Sequence, residues 1–156
     1  MNNLIFLIIG IVIGLLAAFL FIYFKTSSLM IWEDKSRFGF DETIEKLTRE
    51  VEGAQWKMPA VHDLQETMKK NGYDVRKVKV LEICQPKIAQ QILSRDKERI
   101  VSSLMPCRIA VYEKSDGQVY VSRINSGLIG KLMEGVIPGV MKEATDGVEN
   151  ILKEVI

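Results

Sequence analysis

Residues 107–124 read Cys-Arg-Ile-Ala-Val-Tyr-Glu-Lys-Ser-Asp-Gly-Gln-Val-Tyr-Val-Ser-Arg-Ile, and this stretch decides the fold. Two runs rich in β-branched and aromatic residues, Cys107–Glu113 and Gln118–Ile124, flank a turn containing Asp116-Gly117, the pattern of a β-hairpin. Upstream, Val75–Cys84 alternates: Val78, Val80 and Glu82 oppose Lys77, Lys79, Leu81 and Ile83, which predicts a strand. Pro86 suits the first turn of a following helix that buries Ile88, Ala89, Ile92 and Leu93. A shorter helix holding Ile100, Val101 and Leu104 ends before Pro106. Downstream, the tail from Pro138 carries Met141, Ala144, Val148, Ile151, Leu152 and Val155 at three- and four-residue intervals, the stripe of an amphipathic helix.

Further toward the N-terminus, Leu64–Lys70 reads as a short helix closed by Asn71-Gly72, and Ala54–Val61 as an extended stretch broken by Pro59. Phe40-Asp41 opens a helix with Asp41 as its cap, Ile44, Leu47 and Val51 on its buried side, and Gly53 at its stop. Leu29–Glu33 is apolar enough for a first strand. Helices interleaved with strands, plus one hairpin, define an α+β domain, and roughly 130 residues are enough for one real core. The sequence has no internal repeat.

The whole chain has 156 residues, so it holds one domain and an appendage rather than two full domains. A formal net charge of +1 excludes the global basic charge that carries nonspecific nucleic-acid binding, and no nucleic-acid motif is present. Two cysteines exclude a disulfide-rich scaffold and a four-cysteine zinc site, leaving one bridge open.

The appendage is the start of the chain. Leu4 to Phe24 contains no charged side chain, and about 21 residues at ~1.5 Å each match the thickness of a bilayer core. Tyr23 and Lys25 suit the headgroup level. A cleaved signal peptide fits poorly: the run is longer than a usual signal core, no basic residue precedes it, and no small-x-small site follows Phe24. The sequence thus predicts a single-pass cell-membrane anchor over residues 1–25, a linker over 26–28 and an α+β domain over 29–156, with the bilayer as the first partner. Lys25, Lys35 and Arg37 all follow the span, so the positive-inside count places the domain in the cytoplasm and leaves the opposite side open. Gly10, Gly14 and Ala18 share one helix face on which a second span, from a homo-oligomer or another membrane protein, can approach closely.

Several segments together resemble a known family. Phe40-Asp41-Glu42-Thr43-Ile44, Ile83-Cys84-Gln85-Pro86 and Leu104-Met105-Pro106-Cys107-Arg108-Ile109-Ala110-Val111-Tyr112-Glu113 are similar to the prokaryotic family catalogued as domain of unknown function 302. The resemblance runs from about Leu29 to Ile156 and includes Asn125-Ser126-Gly127-Leu128. It implies a compact α+β fold and supplies no activity, substrate or cofactor.

Candidate functional residues follow from chemistry. Cys84 precedes the Pro86 helix and Cys107 begins a strand; if those strands are neighbours, both sulfurs lie near one edge of the sheet. The helix N-terminus favours a Cys84 thiolate, and two close thiols can form a disulfide, exchange electrons or hold a soft metal. His62, the one histidine, completes a set suited to a metal ion or haem iron. The opposing reading is that both thiols pack as small hydrophobes. Gly127-Leu128-Ile129-Gly130-Lys131 lacks the Ser or Thr of a phosphate loop, since Leu132 follows. The two apolar rows from Leu128 to Met141, interrupted by Gly135 and Gly139, pack on the sheet or meet the bilayer or a partner. Lys69, Lys70, Arg76, Lys77 and Lys79 form a solvated basic face or one that meets lipid phosphates. With no recognised catalytic constellation, the preferred function is a membrane-tethered binding or interaction domain; the alternative is a thiol-dependent redox or metal/haem-binding protein using Cys84 and Cys107.

Overall fold

The computed structural model describes residues 2–156, with side chains described for 5–22 and 28–156; the interfacial side chains expected at Tyr23 and Lys25 lie outside the described residues. The chain opens with one long helix, α1 (Asn2–Met30). Its segment Ile5–Ile22 is long and apolar enough to cross a membrane, and none of it is buried. Residues 26–28 continue this helix, which passes directly into β1 (Ile31–Lys35).

The remaining order is α2 (Phe40–Gly53), β2 (Lys57–Asp63), α3 (Leu64–Lys70), β3 (Val78–Cys84), α4 (Pro86–Leu93), a 3-10 turn (Glu98–Leu104), β4 (Cys107–Glu113), β5 (Val119–Ile124), α5 (Ser126–Gly130) and α6 (Ile137–Leu152). The strands form one antiparallel sheet in the order β1-β5-β4-β3-β2. The hairpin is therefore its centre. Asp116 accepts from the Gln118 N–H at 2.9 Å, and Gly117 takes the positive φ of 73° that the tight turn requires.

Pairing fixes the two faces. Leu81 lies opposite Ile109, Ile83 opposite Cys107, and Val111 opposite Val121, so the odd-numbered residues of β3, β4 and β5 share one face. That face is the core, where Leu47 and Val51 of α2 and Val148, Ile151 and Leu152 of α6 pack on Leu81, Ile83, Ile109, Val111 and Val121. The other face carries the alternates, in which Glu82, Arg108, Tyr112, Tyr120 and Ser122 are mixed with Val78, Val80 and Ala110. A second, smaller cluster joins Ile92 of α4, Val101 of the 3-10 turn, and Ile137, Val140 and Met141 of α6; Ile88 touches both clusters.

Local departures from the sequence reading have simple causes. Gly39, not Asp41, caps α2, and Asp41 stands in the first turn, where a carboxylate suits the helix dipole. Pro59 is accommodated because β2 is an edge strand with a register shift between Lys57 and Ala60. The segment of Ile100 and Leu104 is a 3-10 turn that buries Val101 and leaves those two side chains exposed. The apolar rows from Leu128 to Met141 are not one helix: α5 ends at Gly130, and Gly135, at φ 67°, turns the chain before α6.

Candidate functional site

The most apolar concavity lies where the two clusters meet, at the end of the sheet reached by α1. Its walls are Trp56, Ile88, Ala89, Met105, Ala144 and both cysteines, with Met141 and Leu104 beside them, and it encloses about 50 Å³. Each wall has a sequence cause. Gln85 accepts from the Lys87 N–H at 2.8 Å and Pro86 occupies the first turn, so β3 passes into α4 immediately beyond Cys84. Gln55, at φ 61°, reverses the chain after α2, and the Trp56 N–H donates to the Val51 carbonyl at 2.9 Å, which turns the indole inward.

Cys84 and Cys107 share this wall as half-buried free thiols. The helix N-terminus does not give Cys84 a thiolate: burial raises its pKa. Burial first, and the neighbouring Cys84 second, push Cys107 up to about 11. Both sulfurs are therefore neutral near pH 7. Because the folded pKa of Cys107 lies above its ordinary value, the stability tied to its protonation is complete below about pH 9 and is lost as pH rises through about 11. Alkylation of the native protein at pH 8, followed by mass spectrometry, is expected to be slow at Cys107 and to accelerate tenfold per pH unit up to about 11. Rapid pH-independent labelling of Cys107 contradicts this environment.

His62 does not join the cysteines. It lies opposite Val80, four residues from Cys84 along β3, or about 13 Å. It is exposed on the open face, with its Nε2 3.0 Å from Glu82 Oε1, whereas Cys107 belongs to the core face. Asp63, its sequence neighbour, caps α3 by accepting from the Glu66 N–H at 2.8 Å. Among the described residues, no three His, Cys, Asp or Glu side chains are placed to hold a metal. The expected metal or haem set of Cys84, Cys107 and His62 is thus corrected: the register of β2 on β3 parts the histidine from the thiols.

Nothing lies within 4 Å of the place a Cβ would occupy at Gly10 or Gly14, so the small-residue face with Ala18 is open. The basic cluster is mostly engaged in ion pairs: Lys70 with Glu66, Arg76 with Glu113, Lys77 with Asp41, and Lys79 with Asp63. A solvated, charge-balanced face results.

Sequence reasoning missed Arg123 and named Asn125 only as part of the resemblance, without a role. Arg123 lies on the core face opposite Trp32, and its guanidinium reaches Asp34 of β1 and, in a two-pronged contact at 2.8 and 2.6 Å, Glu149 of α6. Burial opposes its charge, but Glu149 and Asp34 more than compensate and hold the group firmly protonated. The phase of Val119, Val121 and Arg123 was the available signal. Asn125 caps α5 by accepting from the Leu128 N–H at 3.0 Å and donates to the Leu29 carbonyl at 2.9 Å, while its own N–H donates to the Met30 carbonyl at 2.8 Å. It clamps the end of α1 to the head. On the open face, Glu33 accepts from Lys114 and Tyr112, and those bonds, in that order, hold its carboxyl below the usual range.

This architecture defines a small α+β head, helical on one sheet face and open on the other, with an apolar helix joined to one sheet end. Residues 32–156 match the family described as Domain of unknown function DUF302, and the chain belongs to that family. The fold is also that of a crystal structure of an uncharacterized conserved DUF302 protein from Bacillus stearothermophilus. That structure is 18% identical, with a TM-score of 0.74, and the match covers 82% of this chain and 99% of the other. No curated protein matches.

Proposed function

We propose that this chain is a membrane-tethered binding module: α1 holds the head at the bilayer, and the cavity between α4, the 3-10 turn and α6 receives the end of a small apolar ligand. The reading assigns no catalysis. The observation that carries it is an apolar cavity at the sheet end where α1 arrives. Its 50 Å³ is about a third of the ~150 Å³ of a dry engineered cavity that takes benzene or xenon, so it suits a methyl-bearing tip rather than a bulky cofactor. Following the positive-inside count, the head is assigned to the cytoplasmic side. The alternative, thiol redox chemistry or metal or haem binding, has in its favour only the shared wall of Cys84 and Cys107.

Xenon is the probe matched to this volume. In full-length protein held in lipid nanodiscs, xenon is expected to shift the NMR signals of Trp56 and the Met141 methyl saturably. Ala144→Met, which fills the cavity from α6, is expected to weaken that response at least tenfold. Equal responses in the two proteins, or none in either, overturn the assignment of the cavity as the binding site.

A further inference from the structure

We propose that the sheet end at which α1 arrives is a lipid-docking surface, on which the head rests through exposed apolar side chains of the 3-10 turn and of the loop after α5. The inference rests on reading α1 as a membrane span and adds a second contact to it. Topology assembles the surface. Ile31, the first residue after α1, pairs with Ile124 at the end of β5, and the register carries this edge through the start of β4 to the end of β3. α4, the 3-10 turn and α5 all adjoin strands at this edge. Asn125 fastens α5 to the last turn of α1. A Cβ at Gly135 would stand 3.0 Å from Glu98 Oε1, so the loop after α5 lies directly against the 3-10 turn.

The two most exposed large apolar side chains of the head both stand here, Leu132 at 82% and Ile100 at 75%, with Leu104 and Met133 beside them in sequence. Single exposed apolar residues are ordinary, but several from separate segments gathered at one edge mark an interaction surface. Arg95, Lys97, Arg99 and Lys131 are interleaved with them and outnumber Asp96, Glu98 and Glu134. Exposed aliphatics among excess basic groups are the chemistry of an interfacial segment on an anionic leaflet. Reach agrees: the seven residues from Phe24 to Met30 span about 10 Å of helix, so the edge stands at or just above the headgroup layer. A second protein surface would need neither that height nor the basic excess.

The test uses the full chain in vesicles of phosphatidylcholine and phosphatidylglycerol, with tryptophan introduced by Ile100→Trp, Leu132→Trp or, at the opposite side of the head, Tyr73→Trp. These positions are exposed, so the fold tolerates the change. Emission of Trp32 and Trp56 is subtracted using the unsubstituted chain. Lipids brominated high on the acyl chain are expected to quench the added signal at positions 100 and 132 at least twofold and to leave position 73 unchanged. Iodide in the water is expected to do the reverse. Vesicle flotation separates the two levels of the argument. A chain that floats but shows Ile100→Trp and Leu132→Trp as open to iodide as Tyr73→Trp overturns the docking surface and leaves the anchor standing. Shielding from both quenchers assigns the edge to a protein contact and also overturns it; a chain that does not float overturns anchor and docking together.

Discussion

The double variant Asp34→Asn/Glu149→Gln is expected to lose about 3–5 kcal/mol of head stability, more than Arg123→Met loses. The order follows from which charge is stranded. The Arg123 side chain is 6% exposed, whereas Asp34 is 47% and Glu149 32% exposed. Neutralising both acids leaves a guanidinium shut away from water without a counter-charge. Removing the arginine instead leaves two carboxylates that water reaches, and the hydrophobic methionine stem still packs beside Trp32, so a loss of about 1–3 kcal/mol is expected. Urea unfolding of the full chain in mild detergent, followed by the emission of core residue Trp56, gives both values. The reverse order would contradict the view of Arg123 as a charge whose burial depends on its two acids. Because those acids sit on β1 and α6, the same contact ties the first strand after α1 to the closing helix.

Gly147 carries the second large effect. A Cβ there would stand 2.5 Å from Cζ2 and 3.3 Å from Cε2 of Trp56. The ring is 7% exposed and held at its backbone, so it has no free end to swing aside. Alanine gains about 1 kcal/mol in helix propensity over glycine, but overpacking at such a contact costs about 1–3 kcal/mol. Gly147→Ala is therefore expected to be destabilising by about 1 kcal/mol, and Gly147→Val, with two more methyl groups and a β-branch, by about 3 kcal/mol. Combining Gly147→Ala with Trp56→Leu is expected to recover at least 0.5 kcal/mol relative to the sum of the single changes, roughly the threshold for real coupling. Simple additivity would show that the close approach is not what requires glycine.

These two positions also show what the sequence discloses and what it hides. The hairpin, β3 and α6 were legible because each buries one face and spells it at the period of its own structure, as Val119 and Val121 or Val148 and Leu152 do. The resemblance segments followed suit: Cys84-Gln85-Pro86 is a strand-to-helix corner and Asn125 a helix cap. Pairs distant in the chain were not legible. Nothing local announces that Gly147 makes room for Trp56, or that Arg123 meets Asp34 and Glu149. The candidate site divided along the same line. Strand order could bring Cys84 and Cys107 to one wall, as anticipated conditionally, but the β2–β3 register set His62 opposite Val80, four residues short of Cys84. The basic run near Lys77 looked like one surface feature, yet its partners come from α2, β2, α3 and β4.

The membrane assignment is what gives the cavity and the exposed edge their meaning, and fractionation with intact-mass analysis tests it most directly. Cells producing the full chain are lysed, the membranes washed with alkaline carbonate, and the protein in pellet and supernatant weighed. The account predicts a chain that stays in the pellet and whose mass still includes residues 4–24. Recovery in the carbonate supernatant, or a mature chain that has lost that stretch, would contradict it.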